Sequence, residues 1–303
     1  MTAAPVRRPV VAGRFYEGTR TALTCAAEHY LEGFTPPKDL AALLGGVVPH
    51  AGWVFSGPTA AKVFRTLSEQ ADPEVYVLLG AVHQWGVEQA AVYPAGAWST
   101  PLGEIAVDAD LAQAILDAGK GHVAASARAH DGEHSIEVQT PFIQVVSPSA
   151  RIVPVATPPD ANAVRVGEAV AQAVRADGRR IVVVASTDLT HYGMGYGVPD
   201  HGAFPDAMPW MHENDHRFIR RVERLEAEAL CAEAAEHHNA CGAGAVAAAV
   251  AACRALGAVR GRVIEYTTSA EVMHETRADR AVGYVGIVFE KPAGDAARRK
   301  ETS

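Results

Sequence analysis

No run of apolar residues in this 303-residue chain reaches the ~18 that a membrane-spanning helix needs, and no apolar signal core follows Met1. Neither a membrane protein nor a secreted one is expected. Cysteine is scarce: Cys25, Cys231, Cys241 and Cys253 share no C-x-x-C spacing, so neither a disulfide framework nor a zinc ribbon is indicated, and a reduced, cytoplasmic protein is expected. Positive charge is short as well. Lys and Arg total 27 against 35 Asp and Glu, a formal charge of −8, and the one basic block, Arg298-Arg299-Lys300, sits in the last residues. Nucleic acid requires a basic face, so it is not expected as a partner. There is no G-x-S-x-G, P-loop, H-E-x-x-H or EF-hand loop. The stretch from Gly242 to Ala247 matches G-x-G-x-x-A, but it follows a helical pattern rather than a strand, so it is not a dinucleotide fingerprint. No Gly-, Ser- or Pro-rich linker divides the chain and no repeat is visible. A single domain over residues 13–290 is expected, between tails at 1–12 and 291–303.

Apolar residues make up 49% of the chain, enough for a sizeable core. They fall in short continuous runs separated by helical patterns. The runs at Leu43–Pro49, Val75–Gly80, Arg151–Val155 and Ile181–Ser186 read as strands buried on both faces, and Arg262–Thr268 and Val282–Phe289 as closing strands. Helices are expected at Pro58–Leu67, Asp108–Ala118 with Asp108 as N-cap, Glu137–Val146, Asn162–Ala176, His216–Glu236 ending at His237-His238, and Gly242–Leu256. This alternation predicts an α/β domain: a central mixed, mostly parallel sheet of about seven strands with helices on both faces. Gly193–His212 carries three prolines and four glycines and reads as one long loop, a lid or substrate wall, with His201 and His212 either solvated or turned toward the pocket.

Thirteen histidines are present, and three share one topological position. His50 follows the first long strand, His83 lies three residues past VYVLLG, and His191 lies five residues past IVVVAS. Open α/β sheets bind ligands at the carboxyl ends of their strands, so the three point to a shared metal or acid–base site. Asp188, in STDLTH, is placed to orient His191 or another ligand. Glu133 and Glu137 stand four apart in a polar run before an apolar segment, where they serve a structural network or contact the site. Cys241 opens a helix, where the helix N-terminus is expected to lower its pKa and favour the thiolate.

PHAGWVFSG, the G-x-x-H of Gly80 to His83, EHSIEVQTPF, STDLTHYG and the Cys-Gly pair at 241 together resemble the Memo-like family, also called AmmeMemoRadiSam system protein B, from about Gly13 to Phe289. That family's fold is similar to the class III extradiol dioxygenases of the protocatechuate-cleaving type. The resemblance implies a metal held by His50, His83 and Cys241, with His191 beside it as acid–base residue. It implies that His134 and Glu137 belong to the pocket, and Trp53 and Tyr192 are expected there with them. Two positions differ from the family's pattern: Gln84 stands where a second histidine often follows G-x-x-H, and the segment after His191 is longer. The implied activity is that of a metal-dependent oxidoreductase, dioxygenase-like and with non-haem iron, acting on a small molecule. Copper or zinc are the other metals such a ligand set takes. Zinc would make it a metallohydrolase, and a third reading is a non-enzymatic protein that binds metal or phosphopeptide. A radical-SAM protein and an AMMECR-like protein are the implied pathway partners, and an oligomer is compatible with the sequence.

Overall fold

The computed structural model describes residues 5–193, 195–196, 201–202, 205–275 and 278–292. The strands are β1 (Val6–Arg7), β2 (Ala42–Val48), β3 (Val75–Gly80), β4 (Ala90–Val92), β5 (Ala97–Thr100), β6 (Gly103–Ala106), β7 (Val123–Ala125), β8 (Arg151–Ala156), β9 (Ile181–Ser186), β10 (His191–Gly193), β11 (Arg260–Thr268) and β12 (Arg280–Lys291). The helices are α1 (Arg20–Leu31), α2 (Trp53–Ala71), α3 (Ala109–Ala118), α4 (Thr140–Val146), α5 (Ala163–Asp177), α6 (Met208–Glu223), α7 (Ala227–His237), α8 (Ala243–Ala255) and α9 (Ser269–Val272).

The main sheet runs β10-β12-β2-β9-β3-β8-β4-β7, with β11 on the free edge of β12. Its centre, β2-β9-β3-β8, is parallel, and β12 and β4 flank that block antiparallel. Val47 and Leu79 both register with Ala185, so β9 separates the strands that lead to His50 and His83. Successive side chains go to opposite faces. Val183 and Leu79 enter the core formed with α5 and α8, whereas Val182, Val184 and Leu78 enter the core formed with α1 and α2. The continuous apolar runs are therefore buried on both sides, as parallel strands require. The α/β reading holds, with one mixed sheet between helical layers. No helix among the described residues is long and apolar enough to cross a membrane.

Several boundaries differ from expectation. The expected tail over 1–12 does not hold at Val6–Arg7, which form β1 beside β5 in a second sheet of order β1-β5-β6. Arg7 is 6% exposed. Residues 293–303 of the expected C-terminal tail lie outside the described residues, and Lys291 closes β12. Helix α2 starts at Trp53, with Pro58 inside it rather than in its first turn, because Trp53 N–H already donates to Phe15 O at 2.6 Å and Gly52 O accepts from Ser56. The long helix expected over His216–Glu236 is two helices, α6 and α7, parted where Leu225 takes a left-handed φ of 57°. The expected 193–212 loop gives way to α6 at Met208; residues 194, 197–200 and 203–204 of that loop lie outside the described residues. Glu137–Gln139 is a 3-10 turn leading into α4. Twelve strands, rather than about seven, are formed among the described residues.

Asp108 caps α3 as expected, accepting from Leu111 N–H at 3.0 Å, and it also receives two hydrogen bonds from the Arg179 guanidinium at 2.6 and 3.1 Å. Burial pushes its carboxyl up, but the Arg179 bonds, the Leu111 N–H and the arginine charge outweigh this and hold it below the usual carboxylate range. A depressed folded pKa contributes stability above the unfolded value, about pH 4, and loses it as pH falls through the folded value. Asp108→Asn is therefore less stable than the parent protein at pH 7. In urea titrations the gap between the two narrows below pH 4; a gap independent of pH rejects the assignment.

Candidate metal centre

The carboxyl ends of β2, β3 and β9 deliver His50, His83 and the segment Thr187–His191 to one edge of the sheet. The loop before α4 brings Glu133 and His134 to the same edge. Gly242 lets the start of α8 approach from the side: a Cβ there would lie 2.3 Å from Ser186 O, so only glycine fits, and Cys241 is carried in with it.

His50 is 2% exposed. Its Nδ1 lies 2.9 Å from Ser186 Oγ. The Ser186 hydroxyl donates to Ser135 O at 2.8 Å and accepts from the Gln139 amide at 3.1 Å, so it is left to accept from His50. The ring therefore carries its proton on Nδ1 and presents the Nε2 lone pair, which faces Cys241 Sγ at 3.2 Å. Burial, then the neighbouring His83 and His134, keep His50 neutral by holding its pKa well below the usual value.

His83 is held from the other side. Glu133, 1% exposed, accepts His83 N–H at 2.7 Å and His83 Nδ1 at 3.0 Å, and also takes the N–H groups of His134 and Ser135 at 2.8 Å each. Burial alone would raise the Glu133 carboxyl, but the His83 bond and charge and the two backbone donors hold it far below its usual value. Burial likewise lowers His83, and the Glu133 bond and charge reverse that into a raised pKa. A carboxylate on Nδ1 leaves Nε2 as the coordinating nitrogen and raises its basicity, the arrangement common behind metal-bound imidazoles.

His134 stacks on His83 with ring centroids 4.7 Å apart and lies 5.6 Å from His50. The ligand atoms form two overlapping sets, each within 4.8 Å: His50, His83 and His134, and His50, Asp188 and Cys241. The expected trio of His50, His83 and Cys241 is thus divided, with His50 common to both sets and His134 standing where Cys241 was expected beside His83. The expected lowering of the Cys241 pKa is also overturned. Cys241 precedes the N-cap Gly242, and burial pushes its thiol well up, with the Asp188 charge adding to this, despite the Asp188 N–H on Sγ at 3.3 Å.

Asp188 Oδ1 accepts the N–H of His50 at 2.7 Å and of Ala51 at 3.2 Å, so it fixes the turn carrying His50. Its Oδ2 stands 4.0 Å from His191 Nε2. Burial raises the Asp188 carboxyl and lowers His191. With 35% of its side chain exposed, His191 is open to the cleft.

The histidines floor a cleft of about 840 Å³ whose walls include Phe15, Tyr30, Trp53, Tyr196 and Tyr284. Trp53 lines it as expected. Glu137 does not: it is buried behind the wall, where it pairs with Arg7 at 2.8 Å and accepts from Val10 N, Val11 N and Tyr16 OH. Tyr192 does not line it either; its hydroxyl bonds Gly202 O at 2.5 Å and His201 N at 3.0 Å, at the root of the long loop. His201 stacks on Trp210 at 3.7 Å and His212 lies 3.6 Å from Glu271, both away from the cleft walls. Sequence reasoning left Glu133 undecided and did not single out Ser186 as the group that fixes the His50 tautomer. The E-H pair before the apolar segment was the one available signal for Glu133; a serine ending a buried strand carries none.

The Memo-like protein family profile matches residues 7–288. A MEMO1 family protein of Thermococcus onnurineus is 39% identical over 294 residues, covering 94% of this chain and 100% of that one. A MEMO1 family protein of Methanopyrus kandleri is 36% identical over 297 residues, covering 94% and 99%. The crystal structure of an uncharacterised protein of Escherichia coli K12 superposes with a TM-score of 0.46 at 14% identity, over 74% of this chain and 90% of that one. The profile match runs past both ends of the constellation, from before His50 to after Cys241, and the chain belongs to the Memo-like family.

Proposed function

We propose that the protein is a metal-dependent oxidoreductase acting on a small molecule in the cleft, with non-haem iron as its metal. The observation that carries this reading is the tautomer locking of His50 and His83. Each ring has its Nδ1 committed, to Ser186 and Glu133, which leaves Nε2 for a ligand; His50 belongs to both donor sets, with His134 and with Asp188 and Cys241, and His83 to the set with His134. These donors fit a divalent ion: imidazoles with one carboxylate are the ligand types of open non-haem iron sites, and a thiolate at Cys241 adds softness that copper also accepts. Bound there, the metal would supply Lewis acidity and a redox couple beside the substrate.

The chain's own part is positioning and proton movement. Asp188 fixes the His50 turn through two backbone N–H groups. His191, kept neutral by burial and exposed to the cleft, has a free ring nitrogen to take a proton from a substrate hydroxyl, and Asp188 at 4.0 Å stabilises the imidazolium that results. The aromatic walls exclude water from the apolar part of the substrate. The three clustered imidazoles also support a second reading, zinc-activated hydrolysis, in which His191 shuttles the proton.

Elemental analysis of anaerobically purified protein, combined with an oxygen electrode, separates these. Iron or copper at about one per chain, with O₂ uptake on adding catechol-like substrates, is the expected result. Zinc without O₂ uptake moves the assignment to hydrolysis, and metal-free protein that takes up none of the three metals removes both.

A further inference from the structure

The cleft beside the imidazoles is lined by two guanidiniums that have no ion-pair partner among the described residues. Arg14, on the N-terminal wall, and Arg280, at the start of β12, both line it, and among the described residues neither forms an ion pair or a side-chain hydrogen bond. The acidic residues described in the lining of the same cleft, Glu17, Asp188 and Glu275, pair with neither, and Asp188 is instead held by the N–H groups of His50 and Ala51. The placement of Arg280 follows from strand register. Gly193 pairs with Arg280 and His191 with Val282, antiparallel. Residues two apart in a strand share a face, so Arg280, Val282 and Tyr284 lie on the His191 face, with Arg280 about 7 Å along the strand from the residue paired with His191. Gly193 keeps that face uncovered. Its φ is +108°, and a Cβ there would lie 2.1 Å from Asp279 O and 2.9 Å from Arg280 Cβ, so no other side chain fits over the arginine.

A planar fork of donors beside an aromatic-walled cavity suits an oxyanion on an apolar body. The geometry points to a substrate class: a compact, apolar or aromatic molecule with one carboxylate or phosphate, the anionic group held by Arg280, with Arg14 lining the same cleft, and the body directed toward His191 and the imidazoles. This rests on reading the cleft as the substrate site.

The test is calorimetry on EDTA-treated protein, so that metal chelation cannot mimic arginine binding, with 3-phenylpropionate, 3-phenylpropionamide and phenyl phosphate as probes. At least one of the two acids is expected to bind about tenfold or more tightly than the uncharged amide. Arg280→Gln brings acid and amide within about twofold of each other, and Arg14→Gln narrows the gap in part. Both side chains are exposed and make no side-chain bond among the described residues, so an unchanged thermal midpoint shows that neither variant acts through folding. Tighter binding of phenyl phosphate assigns phosphate as the head group, and tighter binding of 3-phenylpropionate assigns carboxylate. Neither acid binding more tightly than the amide, a preference that survives in the Arg14→Gln/Arg280→Gln protein, or no binding of any probe overturns the proposal. Metal content, read on untreated samples, is independent of all these outcomes. A protein without metal therefore ends the oxidoreductase reading while leaving the acid–amide comparison valid.

Discussion

His50→Ala reduces bound metal from about one per chain to below about a tenth, whichever donor set holds it, because loss of a primary ligand from a three- or four-donor site removes most of its affinity. His50 is the one residue common to both sets, and its Nε2 is the atom that the Ser186 tautomer lock presents. Two further substitutions locate the metal. Cys241→Ser and His134→Ala each remove a donor from one set and leave the other intact. Metal lost in the cysteine variant but kept in the His134 variant places it at the His50–Cys241 side of the cluster, Cys241 being the ligand that the family resemblance implied; the reverse places it among the three imidazoles. Full occupancy in His50→Ala, measured by elemental analysis on folded protein, would refute the centre altogether.

Glu137→Gln is expected to cost about 3–5 kcal/mol of stability, the range for leaving a buried charge without its partner. Arg7 is buried and pairs with Glu137 at 2.8 Å, with its guanidinium 4.2 Å above the Trp98 ring. The same carboxylate accepts from Val10 N, Val11 N and Tyr16 OH, so it has only donors around it. An amide turns one acceptor into a donor and sets N–H against N–H. These contacts hold the segment that leads to Gly13–Glu17, one wall of the cleft, so ligand binding falls along with stability. Urea titration measures the loss from the shift in midpoint at constant m-value. Glu104→Gln, at an exposed position, serves as the control. A loss no larger than the control's shows that the pair is not integral to the fold.

The parts legible in the sequence were those whose physics is local. Val75–Gly80 and Ile181–Ser186 were bounded to the residue because strands buried on both faces are continuous apolar runs, here ended by Gly80 and Ser186. Asp108 was legible as a cap because capping is a four-residue interaction. The histidines at strand ends were legible because parallel strands all deliver their carboxyl ends to one edge. What stayed hidden depends on partners distant in the chain. β1 and β4–β7 have two to four residues each, too few to show a period, and Val6–Arg7 forms a strand only because β5 and Glu137 await it. Leu225 breaks a helix in a conformation that leucine rarely adopts, and no composition announces that. Cys241 was read by its helix terminus, whereas burial sets its pKa. Glu137 and Tyr192 were assigned to the pocket by motif, and both turned out to brace its surroundings instead.

The position of β9 between β2 and β3 also sets a clock. His50 and His83 emerge early in synthesis, but the strands that carry them are not neighbours. Ala185 lies between Val47 and Leu79, and Ser186, which orients the His50 ring, is the last residue of the same strand. At ribosomal speeds of about 5–20 residues per second, β9 follows His50 by roughly 7 to 27 seconds. During that interval the imidazoles are loose side chains on an unfinished sheet, and Cys241 has yet to be made. Any metal that this centre takes up therefore enters after these segments are made, so that ion supply late in synthesis or after release, rather than early in elongation, governs loading.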